Sequence, residues 1–343
     1  MNRYTYSMGP ASVRVESAEE LPHWHQWAET FSGFEEALGP EPAPSLTASI
    51  HFADELSPLG ADADSLTLHA ERAGRGLRRS DGALEVENLD KPAHYTVTAT
   101  SVGQIHLDMV YPYGQTYWEL DAFQLVRGWI QAVAESSGRK KFHGSALAKG
   151  DFGIVFVGDS GAGKTSFMLS ALRSGKYAFI SNDKLHIDES GTIYGLPMSA
   201  AISTDSLGDI PELRVTRSSR VMKSKLYLWP DQLAHALATS CQADAPLRLV
   251  IQADIDLSAS GVSIAPLDGP SISRLANGPI RHFTDRVQPH WIIDELGLRA
   301  SPGLTEAAFR VPWLRATGNP WSDAWWGALD EVVSRLSATA RHS

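Results

Sequence analysis

Gly153-Ile154-Val155-Phe156-Val157-Gly158-Asp159-Ser160-Gly161-Ala162-Gly163-Lys164-Thr165-Ser166 is the stretch on which the fold turns. Its first five residues are apolar without alternation, which suits a strand buried on both faces. The next eight match the pattern G-x-x-x-x-G-K-[ST] in full. Glycines there let successive backbone N–H groups turn inward around an anion, where a Cβ would obstruct them. Ser166–Arg173 reads as a helix that begins near Lys164 and turns its positive N-terminal end to the same spot. Tyr177–Ser181 reads as the next strand, so strand, loop, helix and strand form a βαβ unit with a right-handed crossover expected.

The chemistry of this loop is that of a triphosphate cradle. Gly158, Asp159, Ser160, Gly161, Ala162, Gly163, Lys164, Thr165 and Ser166 are the expected nucleotide-binding residues. Lys164 supplies a mobile positive charge for the β- and γ-phosphates. Thr165 offers a hydroxyl to magnesium, which prefers oxygen ligands. A carboxylate is needed as well, and Ser181-Asn182-Asp183 closes the next strand, where ligands gather in open α/β sheets. Thr165 and Asp183 are therefore the expected metal ligands, and ATP with Mg2+ the expected cofactor pair. Asp188 and Glu189, in a turn before Gly191, read as solvent-exposed.

Residues 1–118 read as a strand-rich domain, with runs at Ser45–Phe52, Ser65–Ala70, Tyr95–Thr100 and Gln104–Val110. Turn signals at Ser80-Asp81-Gly82 and Val102-Gly103 separate them. A helix is expected near Ala18–Phe31, and Pro40, Pro42 and Pro44 mark a connector. Residues 119–343 form the second expected domain. It opens with a half-buried helix over Leu120–Glu135, stopped by Ser136-Ser137-Gly138. Further strands are expected at Lys225–Leu228, Leu247–Ala253 and Val262–Pro266, and a helix at Trp321–Leu336 with Ser322 as its cap.

Composition narrows the function classes. Hydrophobic residues make up 43% and charged residues 20% of 343, an ordinary globular profile. A formal charge of -10 disfavours non-specific binding to nucleic acid or anionic membranes. No apolar run approaches the ~20 residues of a membrane span, and the N-terminus lacks the apolar stretch of a signal peptide. Cys241 stands alone, so no intramolecular disulfide forms and a cytoplasmic location is expected. The expected partners are a nucleoside triphosphate and a small-molecule or peptide acceptor. Assembly is left open, a homo-oligomer included.

The run His143-Gly144-Ser145-Ala146-Leu147-Ala148, then Gly153–Thr165, then Arg173-Ser174-Gly175 and Phe179-Ile180-Ser181-Asn182-Asp183, resembles the HPr kinase/phosphorylase superfamily. That superfamily belongs to the phosphoenolpyruvate carboxykinase-like kinases. A weaker echo of HPr kinase-related proteins from biosynthetic clusters runs through Tyr194-Gly195-Leu196-Pro197, Lys225-Leu226-Tyr227-Leu228 and Pro246-Leu247-Arg248. The resemblance implies an α/β fold: a P-loop kinase core on a mixed sheet, with the strand-rich domain before it. It implies phosphoryl transfer from ATP to a hydroxyl or amine. In the family, the first of two acids is the general base, the second helps hold magnesium, and the upstream histidine contacts the pair. Carried over, Asp183 takes the metal role and His143 the partner role, and Lys164 completes the catalytic set with Asn182.

Asn182 departs from that pattern, since an amide has no useful proton affinity near neutral pH. Asp183 does both jobs, or His143 or another residue is the base, or the acceptor needs little base help because phosphoryl transfer depends mainly on positioning and charge. Loss of transfer with retained binding is the fourth reading. A protein kinase of the HPr kinase type and a silent nucleotide-binding regulator are the alternatives carried forward. Arg217, Arg220 and Lys223, in a local basic cluster, are candidates for a phosphate or acceptor clamp, with a solvated loop as the equal alternative. Trp321, Trp325 and Trp326 either stack on a nucleobase or pack the C-terminal helix onto the core.

Overall fold

The computed structural model describes residues 2–8, 11–17, 46–68, 72–101, 104–115, 117–136, 138–195, 199–204, 210–213, 220–222, 224–277 and 305–340. The expected helix near Ala18–Phe31, the proline connector, the Val102-Gly103 turn, and Arg217 and Lys223 lie outside the described residues. The architecture is mixed α/β, and the chain divides after Ser137 into two compact units.

Among the described residues, the first unit is an eight-stranded sheet and one helix. Its strands are β1 (Asn2–Met8), β2 (Ala11–Ser17), β3 (Leu46–Ala53), β4 (Asp64–Thr67), β5 (Ala73–Arg78), β6 (Leu84–Asn88), β7 (Ala93–Ser101) and β8 (Gln104–Pro112). The spatial order is β1-β2-β3-β8-β7-β6-β5-β4. β3 lies parallel to both β2 and β8, and every other pairing is antiparallel. In β8, Ile105, Leu107, Met109 and Tyr111 are buried and the residues between them are less so, the alternation of a sheet with one covered face.

Helix α1 (Trp118–Ser136) belongs to this unit, so the boundary falls after the helix rather than between 118 and 119. Its anchor is Asp121, 1% exposed, which pairs with Arg72 and accepts hydroxyl protons from Tyr95 at 2.6 Å and Tyr111 at 3.0 Å. The helix is not half-buried as its period suggests. Asp121, Arg127, Gln131 and Glu135 are as buried as Val126 and Trp129. A count of apolar positions cannot see this, because it assigns polar residues to water.

The second unit holds β9 (Lys140–His143), β10 (Ser145–Lys149), β11 (Phe152–Val157), α2 (Lys164–Arg173), β12 (Ala178–Ser181), β13 (Lys184–Ile187) and β14 (Thr192–Gly195). It continues with β15 (Ala200–Ser203), β16 (Arg220–Met222), β17 (Lys225–Leu228), α3 (Pro230–Ala236), β18 (Asp244–Ile255), β19 (Val262–Pro266), α4 (Gly269–Asn277), α5 (Glu306–Phe309), β20 (Trp313–Gly318) and α6 (Ala324–Ala340). The main sheet runs β12-β10-β11-β18-β14-β13-β9, with β20 beside β18 and β19 beside β20. β15, β17 and β16 form a small antiparallel sheet.

Two corners fold the main sheet on itself. The long β18 pairs with β14 over Asp244–Pro246, and further on with β11 and β20. β9 passes into β10 through Gly144, where a Cβ would sit 2.7 Å from the Phe156 carbonyl oxygen. His143 and Ser145 therefore lie on different strands, although the sequence reads as one. Between the two halves pack Phe142, Ala146, Val155, Val157, Leu185, Ile193 and Val250. On the opposite face, Leu147, Ile154, Phe156, Leu249 and Ile251 meet Phe167 and Leu172 of α2 and Trp325 and Leu329 of α6. The apolar run entering the glycine loop lacks alternation because both faces of β11 are covered.

β12 runs in the same sense as β11, but β10 stands between them, so the expected βαβ unit skips one strand. β18 and β20 also run parallel to β11 on its other side. Connections from β11 and β18 thus leave in opposite directions, and the crevice between their carboxyl ends is where open sheets bind ligands. The C-terminal helix begins three residues later than expected. Ser322 does not cap it: its hydroxyl donates back to the Asn319 carbonyl at 2.8 Å.

Candidate functional site

The glycine loop leaves β11 at that crevice and enters α2. Gly158, Gly161 and Gly163 have φ of 141°, 83° and 94°, values that L side chains seldom adopt. Gly163 is doubly constrained, because a Cβ there would sit 2.7 Å from Ile255 Cβ. The backbone N–H of Ile255 donates to the Ala162 carbonyl at 3.1 Å, so the end of β18 holds the loop in place. Asp159, Ser160 and Gly161 are exposed at the tip, while Ala162, Thr165 and Ser166 are partly covered.

Lys164 is 9% exposed, and its ammonium donates to the carbonyl oxygens of Gly158 at 3.0 Å and Asp159 at 2.9 Å. Burial pulls it below the ordinary lysine value, and the carboxylates of Asp183 and Asp159 oppose that pull. The charge is therefore anchored at the loop.

Asn182 and Asp183 form the link between β12 and β13. Asp183 takes a left-handed φ of 75°, which Asp tolerates better than most residues. Its carbonyl oxygen accepts from the backbone N–H of Gly144 at 3.3 Å and from His143 Nδ1 at 2.8 Å. His143 Nδ1 also lies 3.3 Å from the Asp183 carboxylate, which is 46% exposed. A carbonyl can only accept, so the proton of the neutral imidazole sits on Nδ1. Burial pulls His143 below its ordinary value. Asp183 opposes this, and Lys164 and Lys184 add to it. Burial thus favours the neutral ring.

The Asn182 side chain turns into the protein at 3% exposure. Its Oδ1 accepts from Ser145 Oγ at 2.9 Å and from Thr165 Oγ1 at 2.9 Å. Residues expected from sequence to act together, Lys164, Thr165, Asn182, Asp183 and His143, thus lie around one loop. Asn182 faces two hydroxyls rather than the open side of the site. Sequence reasoning missed Ser145, and the signal was a serine in the otherwise apolar run Ala146-Leu147-Ala148. It also missed Lys184, buried at 4% opposite His143 in the β9–β13 register.

Among the described residues, no group of three or more His, Cys, Asp or Glu could hold a metal ion. The Thr165 hydroxyl and the part-exposed Asp183 carboxylate fit a magnesium that keeps waters and phosphate oxygens as its other ligands. The inward-turned glycine backbone and the buried ammonium fit a polyphosphate.

Arg220 lies on β16, and its side chain is outside the described residues, as are Arg217 and Lys223. Trp325 is fully buried, edge-on to Phe167 at 4.9 Å between ring centroids. Trp326 Nε1 donates to Ser170 Oγ at 3.0 Å, and Trp321 packs against the same core. Trp325 and Trp326 therefore fix α6 onto α2. Asp188 is not simply exposed: it accepts from Ser190 Oγ, Thr192 N and Tyr194 OH at 2.6–2.9 Å and closes the turn before β14. Burial pushes the Cys241 thiol up to about 12, so it stays protonated and is a poor nucleophile. Among the described residues, no helix is long and apolar enough to cross a membrane. No protein-family model matches the chain, and no curated protein matches it significantly.

Proposed function

We propose that the chain is an ATP-dependent kinase of the HPr kinase-related type, transferring the γ-phosphoryl group to a hydroxyl or amine of a small molecule or peptide. The observation that carries the reading is the meeting of Lys164, Thr165, Asp183 and His143 at a loop of positive-φ glycines beside a topological switch point. The resemblance across residues 143–183 supports it, and the phosphoenolpyruvate carboxykinase-like core goes with it.

In this reading the backbone amides of Asp159–Thr165 and the Lys164 ammonium bind the triphosphate. Thr165 and Asp183 would hold magnesium, which when bound neutralises phosphate charge. The acceptor atom attacks the γ-phosphorus, the bond to the β,γ-bridging oxygen breaks, and ADP leaves. The acceptor proton passes to Asp183 or to water, the small demand for a base being that of a loose transition state. Neutral His143 donates its Nδ1 proton to the Asp183 carbonyl oxygen and so steadies the αL residue that carries the carboxylate.

A second reading is favoured by the seclusion of Asn182: a nucleotide-binding regulator without transfer. Mass spectrometry of cell extracts incubated with ATP and the protein separates the two. A product gaining one phosphoryl group, lost with Lys164→Ala, supports the kinase. Saturable ATP binding with no phosphorylated product across a wide acceptor panel supports the regulator. Full transfer by Lys164→Ala refutes the site.

A further inference from the structure

Three elements meet at Asn182 Oδ1. Ser145 opens β10 at 1% exposure, Thr165 stands in the first turn of α2, and Asn182 follows β12. A carbonyl oxygen has two lone pairs, and the two hydroxyls at 2.9 Å occupy both. A hydroxyl carries a single proton. Once Thr165 commits that proton to Asn182, its own lone pairs point away from residue 182.

We infer that Ser145 and Asn182 are positioning residues for Thr165, and that the hydroxyl–amide–hydroxyl bridge makes Thr165 present a lone pair, not a proton, to a divalent cation at the phosphate site. The inference rests on the reading of the loop as a nucleotide site. It gives the departure from the two-acid pattern a physical role. With Oδ1 filled by protein donors, the amide offers the cation nothing. Thr165 and Asp183 then offer the cation one hydroxyl and one carboxylate, too few for a hard ion that wants six oxygens. It therefore enters as the nucleotide complex, and not alone. Ser145 holds the amide in register from the far side, as an outer partner orients a ligand.

The test uses the full chain, Mn2+ as a paramagnetic probe, and ATP titrated by calorimetry in Mg2+ and in EDTA. Wild-type protein is expected to bind Mn2+ weakly alone and firmly with ATP. Asn182→Leu keeps the size and removes the acceptor, and Ser145→Ala removes the second donor. Each is expected to weaken Mg-ATP binding, Asn182→Leu by about 10-fold or more, with ATP affinity in EDTA unchanged. Asn182→Asp keeps an acceptor for both hydroxyls and adds a charge, and it is expected to gain Mn2+ binding without nucleotide. Should Asn182→Leu fail to fold, Ser145→Ala and Asn182→Asp decide. Equal losses in Mg2+ and EDTA, or no loss in either, overturn the inference while leaving the nucleotide site standing. Wild-type protein that binds no nucleotide in either condition removes the site and the inference together.

Discussion

Trp325→Phe and Trp325→Ala separate a packing tryptophan from a nucleobase platform. Trp325 is completely buried, its ring lies 4.9 Å from that of Phe167 and 6.3 Å from that of Phe156, and its Nε1 donates to the Phe167 carbonyl at 3.2 Å. Truncation to alanine removes a buried indole and leaves a cavity between α2 and α6, a loss of about 3–5 kcal/mol. Phenylalanine keeps an aromatic edge and loses the hydrogen bond with part of the volume, so about 1–2 kcal/mol goes. Urea unfolding followed by circular dichroism reads both values, provided the second unit's transition is resolved from the first's. In parallel, nucleotide affinity of Trp325→Phe should stay within about twofold of wild type, a shift below ~0.5 kcal/mol. A Trp325→Phe protein of unchanged stability that binds nucleotide far more weakly would refute the packing argument.

Other perturbations address the loop and its neighbours. Gly163→Ala forces a Cβ against Ile255 at a left-handed φ, and a strain of about 1–2 kcal/mol should weaken ATP binding by about 5- to 30-fold; equal affinity by calorimetry would mean the loop shape is not needed. His143 should titrate below 6.5 in a proton NMR pH series, because burial and two lysines depress it. Its folded value lies under its unfolded one, so its contribution to stability is complete above pH 6.5 and is lost as pH falls through the folded value; a titration above 6.5 contradicts this. Asp183→Asn keeps a residue that tolerates φ of 75° but removes the charge, so metal-dependent nucleotide binding should fall while the melting temperature holds within a few degrees. A large drop in melting temperature with metal dependence intact would assign Asp183 to the turn alone.

The parts of this fold that were legible in the sequence are local ones. The apolar run of β11, the glycine loop and α2 stand side by side in the chain, and each carries its own signal. The strands of the first unit at β3, β7 and β8 fall on the β-branched runs that suggest them, because one face alternates. What escaped is long-range. Nothing local shows that β10 inserts between β11 and β12, or that Gly144 breaks one apparent strand into two. The polar face of α1 looked solvated because its charge partner, Arg72, lies forty-nine residues upstream of Asp121. In the site, Lys164, Thr165 and Asp183, singled out by residue identity, lie around one loop. The direction of the Asn182 amide, and Ser145 behind it, depend on two strands and a helix converging, which spacing cannot convey.

Calorimetry of ATP into the full chain, with and without Mg2+, and into Lys164→Ala tests the central claim most directly. The account predicts saturable, magnesium-dependent binding by the wild-type protein, weakened about 100-fold or more when the ammonium and its charged hydrogen bonds are removed. Absence of saturable binding in the wild type, or equal affinity in Lys164→Ala, would contradict it.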